Sequence, residues 1–281
     1  MIDHLFFTGI NILLAWSAYI VLLSGSLSFA QGAFMAIGCY IAGVLTVKFG
    51  WALEPALVVA AFGTAFIGAA IGYPALRTRG LYLILLTVGV TFVVRVGLEQ
   101  FEYVGGVLGF GGMLGATVWH VGVAVVIVGA ALCVLSVSPW QRVLDAIRED
   151  EAVAESLGIN AAKVSVACFS AGAGVAAIAG GLYGHYMAFV RPEIFDILIS
   201  IFVVLYVILG GVNNMWGAVL GAAILTLVPE YVRVLSEWRP TAYGVVIVLL
   251  LLFRPMGLLT FRIVTVRLPN SPRETASNQS A

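Results

Sequence analysis

The sequence predicts an all-α fold, a polytopic membrane helical bundle, and three observations carry the prediction. Hydrophobic residues make up 62% of the chain and charged residues 10%, against about 25% charged in soluble domains. The apolar residues run in continuous blocks near the ~20 residues that cross a bilayer, rather than alternating as the strands of a membrane barrel do. The remaining charge is concentrated, with five of the 14 acidic and three of the 14 basic residues inside residues 139–163. At ~20 residues per span the blocks make about eight or nine helices and nearly exhaust the chain. One membrane domain is therefore expected over residues 1–268, with its polar loop at 138–163. The Pro- and Ser-rich tail, 269–281, is expected to be disordered.

In chain order, spans are expected at residues 5–23, 29–47, 55–73, 81–98, 119–137, 164–185, 194–209, 218–234 and 242–253. The start, MIDHLFFTGI, has no basic residue ahead of its apolar run. It does not resemble a cleaved signal peptide and is read as the first membrane helix. Two connections, 24–32 and 210–217, are small and polar yet lie between apolar stretches. Irregular backbone survives at membrane depth only where protein or a water-filled cavity satisfies it. Each is therefore either a broken helix lining a pathway or a tight interfacial turn. Residues 103–115 form a Gly-rich loop whose order the sequence leaves open. Many of the 32 glycines sit beside Ala or Ser inside the spans, which reads as close helix packing. Cys39, Cys133 and Cys168 are isolated in apolar runs and read as small buried hydrophobes.

Basic residues in short loops mark the cytoplasmic side. One set of alternate connections carries Arg77, Arg79, Arg142, Arg148 and Lys163, then Arg254, Arg262, Arg267 and Arg273 in the tail. The other carries only Lys48, Arg191, Arg233 and Arg239. The asymmetry places the 139–163 loop and the C-terminus in the cytoplasm. The net formal charge is zero, which suggests no nucleic-acid partner.

The loop itself has the marks of folded helix. Ser138 offers a cap and Pro139 suits a first helical turn; Gly158 offers a stop and Asn160 a cap for the helix that follows. Val143, Leu144, Ile147, Ala154 and Leu157 fall on a stripe at helical spacing, with Asp145, Glu149, Asp150 and Glu155 mostly off it. A helix with one apolar and one polar face lies on a membrane surface or docks into a protein. Membrane-surface helices favour Lys and Arg, and this one is acidic, so a protein partner is favoured over a solvated connector.

At this loop the sequence resembles a known family. Glu151-Ala152, followed by Val153 and then Gly158, resembles the Glu-Ala-Ala…Gly coupling loop of bacterial ABC importer permeases, with Val153 replacing the second Ala and one extra residue before Gly158. Closer is the resemblance to the LivM-type permeases of branched-chain amino-acid importers. Ala146-Ile147-Arg148-Glu149-Asp150-Glu151 and Ala154-Glu155-Ser156-Leu157-Gly158-Ile159-Asn160 are similar to that family's loop. Leu76-Arg77-Thr78-Arg79-Gly80-Leu81-Tyr82, the segment from Gly25 to Phe34, the segment from Gly210 to Gly217 and Phe253-Arg254-Pro255-Met256-Gly257-Leu258 are similar to its other motifs. Ala30 and Gly32 depart from the early motif. The likeness covers about residues 11–259.

The resemblance implies one membrane subunit of an ATP-driven importer in the bacterial inner membrane, surrounded by lipid. It implies pairing with a homologous LivH-type permease subunit, two cytoplasmic ABC ATPase subunits and a periplasmic substrate-binding protein. ATP hydrolysis would then belong to the ATPases, and no cofactor or metal is implied. The residues agree: Lys48 and Lys163 are the only lysines and neither lies in a Gly-Lys-Ser/Thr phosphate loop. Arg148, Glu149, Asp150, Glu151, Ala152, Glu155 and Gly158 are the residues implied to couple to the ATPases. Ile147, Ala154 and Leu157 are expected to supply the apolar contact. Ser26, Ser28, Gln31, Arg95, Asn213 and Asn214 are candidates for the substrate pathway; Arg95 reads first as an interfacial side chain paired with Glu99 and second as a guide for a substrate carboxylate. His185 and Glu230 are placed near the outer face. A secondary transporter would place ionisable groups mid-helix, and only Arg95 approaches that. A metal-dependent membrane enzyme would need a second acidic cluster besides Glu149-Asp150-Glu151. Relatives in this family move branched-chain amino acids, urea, other amides or aromatic acids, so the cargo stays open.

Overall fold

The protein is described here by a computed structural model over residues 2–78 and 80–231. The expected ninth span, the tail, Arg79 and the 253–258 motif lie outside the described residues. Among the described residues ten α-helices follow one another: α1 (Ile2–Leu23), α2 (Gln31–Val47), α3 (Leu53–Ala75), α4 (Leu81–Gln100), α5 (Val118–Val137), α6 (Pro139–Glu149), α7 (Glu151–Ser156), α8 (Ala161–Met187), α9 (Ile197–Gly210) and α10 (Met215–Tyr231). Six helical segments are long and apolar enough to cross a membrane, and Gln31–Val47 and Met215–Leu227 are shorter apolar helices. The all-α bundle expected from composition is what forms.

The core lies where α8 packs between α1, α2 and α3. Small residues make this possible: a Cβ on Gly180 would stand 2.7 Å from the Met35 carbonyl carbon, and one on Gly68 2.6 Å from the Ala173 Cβ. Without a hydrophobic drive between helices in lipid, such close approach is what holds them. Phe34 and Phe169 meet edge to face at 5.3 Å inside this core. Polar bonds tie α10 onto α1: Asn11 Nδ2 donates to Thr226 Oγ1 at 2.9 Å and Trp16 Nε1 to the Met215 carbonyl at 3.1 Å. α4 and α5 are peripheral, with Val93, Val126 and Ile127 all more than half exposed. Cys39 and Cys168 are buried as expected, but Cys133 on α5 is exposed, because α5 buries little of its surface.

The connections gather at two ends. At the loop end lie residues 24–27, 76–80, 138–160 and 211–214. Gly25, Thr78, Gly80 and Arg148 line one cleft there, and Arg148 reaches Asn213. At the opposite end Lys48 sits 3.3 Å over the Tyr103 ring and His120 Nε2 lies 3.4 Å from Glu54. There the Gly-rich loop proves ordered. It forms two short 3-10 turns, Glu102–Val104 and Gly106–Leu108, and a two-residue strand β1 (Phe110–Gly111). This strand pairs antiparallel with β2 (Phe189–Val190). We call this the ladder end. Its connections are the set that the charge pattern separated from the basic one.

Candidate functional site

The loop between α5 and α8 is not one helix, as the stripe suggested, but two. Pro139 opens α6 at its first position, as expected. Ser138 does not cap it; its hydroxyl donates back to the Leu135 carbonyl at 2.8 Å and so closes α5 instead. The break falls at Asp150, which is extended (φ −154°, ψ 107°). Its Oδ1 accepts from the backbone N–H of Ala152 at 2.9 Å and Val153 at 3.1 Å, capping α7. Gly158, with φ 84°, makes the turn after α7, and Asn160 Oδ1 caps α8 by accepting from Lys163 N at 3.0 Å.

The break redirects the apolar stripe. Ile147 and Ala154 are buried with Ala161 in a small core of their own, flanked by Val143 and Ile159, and Leu144 joins the main core. They hold the loop onto the body and are not available to a partner, contrary to expectation. Leu157 alone of the expected contact residues stays free, 73% exposed, and it is joined by Trp140 and Val153 at 62% and 55%. Glu149, Asp150, Ala152, Glu155 and Gly158 are exposed as well. The loop thus leaves both apolar and acidic side chains uncovered.

Three of the implied coupling residues turn to a cleft at the loop end. Arg148 Nη2 donates to Asn213 Oδ1 at 2.8 Å. Arg148, Glu149 and the half-buried Glu151 line this cleft of about 360 Å³, together with Ser24, Ser26, Thr78 and Ser165. The second small-residue connection is the tight turn of the two options, with Asn214 Oδ1 accepting from Trp216 N at 3.0 Å to start α10.

The first connection is longer and is not a self-contained turn. Residues 24–30 carry no helix, and α2 starts only at Gln31. Its first turn meets the first turn of α9, where Gly32 N donates to Ser200 Oγ at 2.9 Å. At 1.5 Å per residue α9 is about 21 Å long and ends at the loop end, so this meeting lies inside the hydrocarbon depth of a ~30 Å core. The non-helical backbone there is satisfied by side chains. Phe29 N donates to Thr87 Oγ1 at 3.1 Å, Thr91 Oγ1 donates to the Phe29 carbonyl at 2.9 Å, and Ala30 N donates to Ser28 Oγ at 3.2 Å. Gln31 is 1% exposed, and its Oε1 has no hydrogen-bond partner. Ser26 lies apart from it, on the cleft.

Arg95 belongs to the same region from the ladder side. Its Nε lies 3.0 Å from Glu99 Oε1 and its Nη1 3.5 Å from Asp196 Oδ1. Asp196 in turn accepts from Ile197 N at 2.7 Å and caps α9. The guanidinium is thus held by two carboxylates and fixes α4 to the start of α9. His185 lies in the last turn of α8 at the ladder end, but it is buried rather than open to a partner, hydrogen-bonded to Thr46 Oγ1 at 2.8 Å and to the Gly181 carbonyl at 2.7 Å. The side chain of Glu230 lies outside the described residues. Sequence reasoning missed Trp140 as a surface anchor, and Thr87, Thr91 and Ser200 as the groups that complete the helix break. An Asp directly before Glu-Ala was a usable capping signal for the loop break. The Thr and Ser partners had none, being 58 to 168 residues from the backbone they bind.

The comparisons with known proteins agree with one another. The family described as "Branched-chain amino acid transport system / permease component" matches residues 1–254. The high-affinity branched-chain amino acid transport system permease protein LivM of Escherichia coli K12 is 30% identical, over 96% of this chain and 72% of that protein. The permease protein BraD of Pseudomonas aeruginosa is 27% identical, over 84% of this chain and 86% of its own length. LivH of Escherichia coli K12 is 31% identical over a shorter stretch, 42% of this chain and 39% of that protein. No solved structure matches the chain.

Proposed function

The chain belongs to the permease-component family of branched-chain amino acid transport systems, and from that premise we propose that the α6–α7 loop is where a cytoplasmic ATPase grips this subunit. The chain is a multi-pass membrane transport subunit and not an enzyme. Its proposed cargo is a branched-chain amino acid, delivered by a substrate-binding protein at the ladder end. Its proposed partners are a LivH-type permease and two ABC ATPase subunits. The charge pattern supports a cytoplasmic loop end and a periplasmic ladder end.

The observation that carries the docking reading is the exposed face of α6–α7. Trp140, Val153 and Leu157 remain open although the same two helices bury Ile147 and Ala154 in the chain's own core. Burial of Ile147 and Ala154 already seats the loop on the body, so folding does not call for three more large apolar groups to stay uncovered. The exposed carboxylates of Asp150 and Glu155 would set orientation and encounter rate more than affinity. Ser28, Gln31 and the meeting of α2 with α9 are the proposed wall of the pathway. They form the stretch where non-helical backbone and an unpartnered side-chain oxygen occur at membrane depth.

The test is co-purification. Val153→Glu with Leu157→Glu places two charges in the proposed contact, and truncating buried interface anchors typically costs about 2 kcal/mol or more. The ATPase subunits are expected to be lost from the detergent-solubilised complex while the chain still inserts. ATPases that remain bound at the unmutated level refute the docking reading.

A further inference from the structure

Arg148 does not behave as a rim residue of the docking face. It is the last basic residue of α6, one residue from the helix end, and its side chain reaches the turn between α9 and α10. Three observations fix its place. Its guanidinium donates to Asn213 Oδ1 at 2.8 Å, in the turn between α9 and α10. Its backbone lies beside Gly25, where an added Cβ would be in ordinary van der Waals contact with the Arg148 Cα at 3.5 Å. Gly25 itself has φ 75° and opens the non-helical connection that leads to the helix break. Arg148, Gly25 and Ser26 then face one another across the cleft at the loop end.

We propose that Arg148 is a positioning residue that ties the α6–α7 segment to both small-residue connections, 24–30 and 211–214, so that a displacement of the segment is passed to α2 and α9 together. The consequence is geometric. Residues 24–30 lead into α2 and residues 211–214 follow α9, and those two helices meet at Gly32 and Ser200. A segment tied to only one of them would shift α2 past α9 and shear that contact. Tied to both, it moves the two helices as a pair. Arginine suits the task because its planar guanidinium keeps several donors in a fixed fork, so that it holds direction as well as charge. Its place in the last turn of α6 is also favourable to the helix dipole. Asn213 supplies the acceptor, and the neighbouring Asn214 is occupied in capping α10.

This inference rests on the docking reading of the preceding subsection, and its experiment separates the two. The complete importer complex is reconstituted into liposomes with its binding protein. Substrate imported per ATP hydrolysed is measured, normalised to the ATPase present. Arg148→Ala and Asn213→Leu are each expected to lower that ratio roughly fivefold, the scale on which residues along a coupled network act. The double variant is expected to fall no further than the worse single one, because both changes remove one bond. Asn213→Asp, whose carboxylate still accepts from the guanidinium, is expected to keep the ratio of the unmutated chain. Should Asn213→Leu fail to insert, Asn213→Ala carries the same arm. Unchanged ratios in both single variants overturn the tie, as does a double variant equal to the product of the singles. The two failures are distinguishable: ATPase retained by Val153→Glu with Leu157→Glu overturns docking, whereas additivity between Arg148→Ala and Asn213→Leu overturns the tie.

Discussion

The two small-residue connections, 24–30 and 211–214, are close to interchangeable on paper and differ in the folded chain. Each holds one Gly and several short polar residues between apolar helices. One is a turn that satisfies itself: Asn214 N donates to the Gly211 carbonyl at 3.5 Å, and the Asn214 side chain accepts from Trp216 N at 3.0 Å. The other carries no helix over residues 24–30 and borrows hydrogen bonds for Phe29 from α4, through Thr87 and Thr91, while Ser200 of α9 accepts from Gly32 N where α2 begins. What separates them is the neighbours rather than local composition. A turn needs partners two or three residues away, whereas a helix break at membrane depth needs partners on other helices.

The contrast breaks most severely if the borrowed bonds are removed. Thr87 and Thr91 are buried, at 0% and 2% exposure, and between them serve both the N–H and the carbonyl of Phe29. Changing both to Val keeps the shape and leaves the two backbone groups without partners. Each buried unsatisfied group costs about 1–3 kcal/mol, so the double variant is expected to lose roughly 2–6 kcal/mol. The check is thermal unfolding in detergent. A melting temperature within a degree of the unmutated chain refutes the claim that α4 holds the break open.

A smaller effect sharpens the other side of the comparison. Asn214→Ala removes the cap on α10 but leaves the turn's own backbone intact, and caps are worth about 1 kcal/mol. The same melting experiment should show a modest loss, well short of the Thr pair. An equal or larger loss means that the 211–214 turn depends on distant partners as well, and the distinction fails.

How much of this was legible beforehand follows the same divide. The starts and ends of α1, α4 and α5 fall within three residues of the expected spans, because a long apolar run bounded by polar residues is a local signal. Pro139, Gly158 and Asn160 likewise act on their own neighbourhood and stand where expected. The apolar stripe of the loop failed because Asp150 resets the helix register, so Ile147 and Ala154 turn inward together while Leu157 turns out. Arg148 was counted with the docking face because nothing local joins it to Asn213, 65 residues away. The helix break was visible as an irregularity but not as a site, since its completing groups sit on α4 and α9.

Gln31 gives the smallest expected effect on stability and the sharpest on function. Its side chain is buried, and its Oε1 has no partner. A buried acceptor without a donor is a standing cost of about 1–3 kcal/mol, and replacing it with an apolar group of like size removes that cost. Gln31→Leu should therefore leave the melting temperature unchanged or raise it slightly. If the break between α2 and α9 is only structural, uptake should follow stability and stay intact. If Gln31 is held unpaired to meet the cargo as it passes, uptake should fall although the fold is no weaker, which is the trade expected where a protein keeps a costly group for use. Uptake by Gln31→Leu at the unmutated rate removes Gln31 from the pathway and leaves the break as a packing feature.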